Sequence, residues 1–118
     1  MNNCYALNEL KVLDLGQMVA APYCGSLLAS LGADVIKIEV PGRGDISRNS
    51  LPKKDGVSTY YIAYNSGKRG ITINLKTEEG KEILRKLIIK ADVLLENFRP
   101  GVMERLGFSY EKVSEINP

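Results

Sequence analysis

No histidine occurs anywhere in the 118 residues. That excludes a histidine-based triad, a histidine general base and a histidine metal cluster. Cysteine is scarce too. Cys4 and Cys24 are the only two, too few for a disulfide framework or a four-thiolate metal site. No metal is therefore expected. An excess of one charge is also lacking, because 16 Lys and Arg stand against 14 Asp and Glu, for a net +2. So weak a field argues against nucleic acid and against an anionic membrane surface as partners. A small polyanion such as a nucleotide phosphate stays within reach. No apolar run approaches the roughly 20 residues that cross a bilayer. The start, Met1-Asn2-Asn3-Cys4-Tyr5, has no basic segment leading into an apolar one. No signal peptide is expected, and the cytoplasm is the expected location. No G-x-G-x-x-G follows a strand and no Walker A sequence is present, so neither standard phosphate-cradling fingerprint applies.

What is present reads as alternating strands and helices. The hydrophobic fraction of 44% and charged fraction of 25% are ordinary for a globular chain. Lys11 to Leu15 reads as a buried strand closed by Gly16. Gln17 to Ala21 reads as a loop, and Pro22 suits the first turn of a helix. Tyr23, Leu27, Leu28 and Leu31 recur at helical spacing, while Gly25, Ser26 and Ala29 keep the helix thin. Cys24 is expected as a small core residue on that helix, and Gly32 as its stop. Asp34 to Val40 is the second strand, which completes a βαβ unit of right-handed crossover. A loop rich in glycine and charge runs from Pro41 to about Gly56. The tripeptide Arg43-Gly44-Asp45 is read there as a turn. Tyr60 to Tyr64 fits either a short helix or an extended segment; its tyrosines are expected to serve packing.

The second half repeats the pattern. Ile71 to Leu75 reads as a strand, Thr77 as an N-cap, and Glu78 and Glu79 as the acidic first turn of a helix. Ile83, Leu84, Leu87, Ile88 and Ala91 make its apolar stripe. Val93 to Leu95 is a further strand; short helices follow at Val102 to Leu106 and from Ser109 to Ile116. This is an α/β chain with a Rossmann-like, mostly parallel sheet and flanking helices. Ligands of such sheets sit beyond the carboxyl ends of the strands. That rule selects Gln17 to Pro22, Pro41 to Asp45, Lys76, and Asn97 to Gly101. Asp14, lying within a strand, is expected to make a structural hydrogen bond rather than do chemistry.

The ordered set of segments is more specific than any one of them. It runs Val12-Leu13-Asp14-Leu15, Val19-Ala20-Ala21-Pro22, Leu31-Gly32-Ala33-Asp34-Val35-Ile36-Lys37-Ile38-Glu39 and Pro41-Gly42-Arg43-Gly44-Asp45. It continues with Asn65-Ser66-Gly67-Lys68-Arg69, Ile73-Asn74-Leu75-Lys76, Ala91-Asp92-Val93-Leu94-Leu95-Glu96-Asn97-Phe98-Arg99-Pro100-Gly101 and Arg105-Leu106-Gly107. This order resembles the start of the family III CoA-transferases, a superfamily that includes formyl-CoA transferase, carnitine-type CoA-transferases and α-methylacyl-CoA racemases. The resemblance covers about Leu10 to Pro118. It implies that residues 1–118 form the amino-terminal part of the large, CoA-binding domain.

The resemblance also implies a site. Coenzyme A, as CoA or acyl-CoA substrate, would be held by loops of this region. Lys76 matches a family lysine near the phosphates, and Arg105 an arginine of similar role. Asn97 and Phe98 match an Asn-Phe pair lying along the nucleotide, with Val102 on the same wall and Ile73 at the adenine side. Met18 and Val19 fall in the loop that approaches the pantetheine arm. Cations suit phosphates and an aromatic ring suits adenine. Phe98 could equally be core, and Asn97 a simple turn residue. Two departures are visible. Ala21 stands where glycine is frequent, and Val40 where some members carry arginine, which leaves one phosphate contact in question.

In the family an aspartate attacks the acyl-CoA thioester and forms covalent intermediates. It belongs downstream of Asn117-Pro118, and none of Asp14, Asp34, Asp45, Asp55 or Asp92 matches it. No catalytic residue is therefore expected here, and the chain alone is expected to be inactive. The alternatives are a racemase of the same superfamily and a non-enzymatic nucleotide-binding fragment. A sheet of this size leaves exposed edges and unburied helix faces, so association is expected, with a second polypeptide, with a copy of the chain as a homodimer, or with the remaining family fold.

Overall fold

The computed structural model describes residues 5–118. The first four, with Cys4 and most of the segment read for a signal peptide, lie outside that range. Lys11–Asp14 forms β1, with Val12, Leu13 and Asp14 all buried. Helix α1 spans Ala20–Ser30 and stops at Gly32, whose φ of 101° is open to glycine and strained for other residues. Strand β2 spans Asp34–Glu39. It lies parallel to β1, with Val12 opposite Val35 and Leu13 opposite Ile36.

The segment after β2 holds more structure than a loop. A single 3-10 turn covers Ile46–Asn49, and a small hairpin joins β3 (Lys53–Lys54) to β4 (Val57–Ser58). Elements this short carry no readable period. The tyrosine segment resolves as α2, Thr59–Asn65, started by the Ser58 hydroxyl accepting from the Tyr61 N–H at 3.2 Å.

Strand β5 is Arg69–Thr72, displaced toward the amino end from the expected Ile71 to Leu75. Two contacts explain the shift. Arg69 forks onto Asp34 at 2.9 and 2.7 Å and so fixes the strand's start beside β2. The Ile73 N–H makes the last ladder bond, to Glu39 O, and Asn74 then turns the chain by accepting from the Lys76 N–H at 3.1 Å. Helix α3, Glu78–Ile88, begins at the expected cap, where Thr77 Oγ1 accepts from the Gly80 N–H. Strand β6 is Val93–Leu95, followed by α4 (Val102–Leu106) and α5 (Tyr110–Ile116), all as expected.

The sheet order is β5-β2-β1-β6 and every pairing is parallel. The α/β class and the flanked parallel sheet read from the sequence are what the chain adopts. Side chains alternate along each strand. Leu13, Leu15, Ile38 and Ile73 join Leu84 and Ile88 of α3 and Phe108 in the main core. Val12 and Val35 meet Leu28 and Ala29 of α1 on the opposite face.

Helix α1 corrects one expectation. Cys24 is exposed, not a core residue. The side of α1 that meets the sheet is made of Ala21, Pro22 and Gly25, all buried, with Leu28 and Ala29 partly buried beside them. A Cβ on Gly25 would lie 3.1 Å from Asp14 Oδ2. The helix approaches the sheet on its thin side, and this turns Tyr23, Leu27 and Leu31 outward, each about half exposed. No helix among the described residues is long and apolar enough to cross a membrane.

Candidate functional site

The sheet changes direction at β1. Strand β2 lies on one side of it and β6 on the other. Such switch points open a crevice at the strand carboxyl ends. A cavity of about 380 Å³ lies at those ends. Every strand of the sheet feeds it. The β1 loop supplies Leu15 and Gln17, and the β2 end supplies Ile38, Glu39, Val40, Pro41 and Arg43. Ile73 to Lys76 follow β5, and Phe98, Val102 and Leu106 follow β6. A second cavity of about 380 Å³ touches Asp92 and Val93, at the amino end of β6. Sheets of this type do not present their ligand loops there.

Four of the residues singled out from the sequence meet in the first cavity: Ile73, Lys76, Phe98 and Val102. Ile73 is buried at its floor; Phe98 and Val102 are half-buried, and Lys76 is exposed. The other four lie outside its lining. Asn97 instead joins two loops. Its side-chain carbonyl accepts from the Gln17 N–H at 2.8 Å and its amide donates to Gln17 O at 2.8 Å. Met18 is exposed in a left-handed conformation (φ 65°), and its N–H reaches Asp45 Oδ1 at 3.2 Å. Val19 precedes α1, where its carbonyl accepts from the Tyr23 N–H at 2.7 Å. Arg105 is exposed on α4 and makes no ion pair among the described residues.

Glu39 is the one carboxylate in the lining, and its charge is already met. Arg48 donates to both of its oxygens at 2.7 Å, Tyr61 OH donates at 2.7 Å, and the Asp45 N–H donates at 2.7 Å. Burial pushes the Glu39 carboxyl up, but the bonds from Arg48, Tyr61 and Asp45 outweigh it and hold the group down at about 2. Tyr61 responds in the opposite sense. Burial and the Glu39 carboxylate raise its phenol, so it stays a donor. Tyr61 thus belongs to this network rather than to simple packing.

Behind Glu39 lies a buried ionic cluster. Lys37 Nζ is 2.8 Å from Asp45 Oδ2 and 3.9 Å from Asp14 Oδ2, and it donates to Gly16 O. Lys68 Nζ is 2.7 Å from Asp14 Oδ2. Burial lowers the Lys68 ammonium against the pull of Asp14. Asp45 is raised by burial, yet Lys37 and the Ser47 N–H and hydroxyl bring it below its ordinary value. Asp14 also accepts from the Gly16 N–H at 2.8 Å, the structural role expected of it. The cluster therefore grips the Gly16 to Met18 backbone from beneath. No buried side-chain polar atom among the described residues lacks a hydrogen-bond partner.

Arg43 and Gln17 also line the cavity, and no local sequence feature marks them as lining residues. The strand-end rule did select both loops, but no local pattern separates a turn arginine from one facing a cavity. The free groups of the lining thus include the Arg43 and Lys76 cations, the Gln17 side-chain amide, the Phe98 ring and an apolar floor. This set can hold a flat apolar group beside an anion.

Residues 7–118 match the family model described as CoA-transferase family III. A formyl-CoA:oxalate CoA-transferase of Rhodopseudomonas palustris (strain TIE-1) is 51% identical over 116 residues, covering 96% of this chain and 27% of that protein. One of Escherichia coli O139:H28 is 49% identical over 115 residues, covering 95% and 27%. Among solved structures, a CAIB/BAIF family protein from Brucella suis superposes with a TM-score of 0.90 at 43% identity, covering 97% of this chain and 31% of that one. A hypothetical protein from Mycobacterium tuberculosis does so with a TM-score of 0.90 at 42% identity, covering 99% and 32%. The chain spans about 27% of the length of the curated relatives it matches.

Proposed function

Because the chain belongs to CoA-transferase family III, we propose that its strand-end cavity takes the nucleotide end of coenzyme A, within a protein that moves CoA from an acyl-CoA thioester to a carboxylic acid. The observation that carries this reading is the meeting of Lys76, Phe98, Ile73 and Val102 in one cavity. The neutralised Glu39 supports it, since an anion entering there meets no uncompensated carboxylate. Lys76 serves the phosphates, Phe98 and Val102 flank the base, and Ile73 lies beneath it. Arg105 supplies a further cation from α4. Asn97 acts by holding the Gln17 loop, with Met18 and Val19 along the path of the pantetheine arm.

In this reading none of the chain's aspartates is the nucleophile. Asp14 and Asp45 are buried in ion pairs, and Asp34 is forked by Arg69. Asp92 caps the Lys11 N–H, and Asp55 sits in the exposed turn of the β3–β4 hairpin. Residues 1–118 are then the amino-terminal part of the CoA-binding domain, with the cytoplasm as setting. The outward faces of Tyr23, Leu27 and Leu31, and the exposed edge strand β5, support association with a second copy or with the rest of the family fold.

Isothermal titration with CoA tests the site. Binding is expected, with Lys76→Ala weakening it about tenfold, as for one charge-assisted hydrogen bond. No heat with CoA but heat with ATP would favour a general nucleotide-binding fragment. Formyl-CoA and oxalate, the pair in the relatives' names, are the first donor and acceptor to try with any longer form of the protein. Racemisation of a branched acyl-CoA by that form, without transfer, would replace the transferase reading.

A further inference from the structure

The geometry points to Arg43 as the second phosphate-reading cation of the strand-end cavity, acting with Lys76 from a different loop. The inference rests on the nucleotide reading above and adds a residue to it.

Arg43 lines the 380 Å³ cavity and also an adjoining one of about 560 Å³ that runs toward Gly70, Ile71 and Thr72. It therefore stands where the two meet. A phosphate bound by it would lie at the rim of the cavity and leave the apolar floor to the base. Its side chain makes no ion pair and no hydrogen bond among the described residues, and it is exposed. The one carboxylate in the same cavity lining is Glu39, whose oxygens are already taken by Arg48, Tyr61 and the Asp45 N–H.

The backbone under Arg43 is held while its side chain is free. The Arg43 N–H donates to Pro41 O at 2.9 Å, and the Gly44 N–H to Val40 O at 2.9 Å. Gly42 and Gly44 take φ of 77° and 67°, values that let the turn close this tightly. One residue further on, Asp45 is anchored to buried Lys37 at 2.8 Å. A guanidinium carried on a pinned turn loses side-chain rotamer freedom but little backbone freedom when it forks onto a phosphate. Val40, beside it in the lining, offers no charge. Of the cavity's cations, Arg43 and Lys76 are the pair, one after β2 and one after β5.

The test is CoA titration of wild type, Arg43→Ala, Arg43→Lys and Lys76→Ala. Because Arg43 is exposed and unpaired, the melting temperature of its variants should stay at the wild-type value. Arg43→Ala is expected to weaken CoA binding about tenfold, and the loss should shrink in high salt, as for an exposed charge contact. Arg43→Lys should recover part of the affinity, since it keeps the charge and loses the fork. If Arg43→Ala binds CoA like wild type while Lys76→Ala is weakened, the Arg43 assignment fails and the nucleotide site stands. If neither variant is weakened, or wild type takes up no CoA, the nucleotide reading fails and takes this inference with it. A loss that ignores salt and is not eased by lysine would also overturn it, because the residue would then be acting through shape rather than charge.

Discussion

The two faces of the central sheet are built from opposite materials. Toward α3 the strands present Leu13, Leu15, Ile38 and Ile73 to Leu84, Ile88 and Phe108. Toward α1 the same strands begin apolar, with Val12 and Val35, and then turn ionic, with Asp14 and Lys37. The change falls at the strand carboxyl ends, next to the cavity loops. An apolar face stabilises in proportion to area and is indifferent to direction. A buried ionic cluster is a weak source of stability, but it is directional and fixes what it bonds. Here it fixes the Gly16 to Met18 backbone and the Arg43 turn. One face holds the fold together; the other sets where its binding loops stand.

The sharpest way to break that division is Lys37→Met. It would leave Asp45 buried without its main partner, and a broken buried pair costs about 3–5 kcal/mol. Denaturant melts should show that loss, and CoA titration below the unfolding transition should show weakened binding as the loop loosens. Leu84→Ala strikes the other face, at a side chain with 0% exposure. A loss of about 2–5 kcal/mol is expected in the same melts, with CoA affinity of the folded fraction unchanged. Equal effects of the two substitutions on affinity would erase the distinction between the faces. The gentlest probe is pH. The Glu39 carboxyl is lowered from 4.5 to about 2 in the fold, so it favours the folded state above pH 4.5, and that contribution fades as pH falls toward 2. The difference in melting temperature between wild type and Glu39→Gln should therefore narrow over that window. A constant difference would remove Glu39 from the ionic face.

The apolar face was legible in the sequence because its residues recur at a fixed period. Leu84, Leu87, Ile88 and Ala91 of the expected stripe, the Thr77 cap and the Val93–Leu95 strand fall where the pattern puts them, whereas Ile83, the fifth member of that stripe, stands 46% exposed outside the core. The ionic face was not legible. Lys37 sits in an apolar strand, and its carboxylates come from another strand and from a turn. Nothing local announces such a meeting. Cys24 departs from its expected core position for a related reason: on α1 the large residues split, with Tyr23 and Leu27 outward and only Leu28 joining Ala21 and Gly25 on the sheet side. The cavity was half legible. The strand-end rule picked its loops, and Lys76, Phe98, Ile73 and Val102 fell into it, but Arg43 could be told from an ordinary turn residue only after the turn had folded.

The reciprocal pair between Gln17 and Asn97 spans 80 positions in sequence. The first βαβ unit is translated well before Asn97. During that interval the Gln17 amide and carbonyl have only water as partners, and the β6 wall of the cavity does not exist. A nascent chain would thus have the strands of its first βαβ unit in one stage, and the β6 wall of its cavity together with the Phe108 end of its core in a later one. Slow exchange of the Gln17 amide proton would report the moment the second stage is complete.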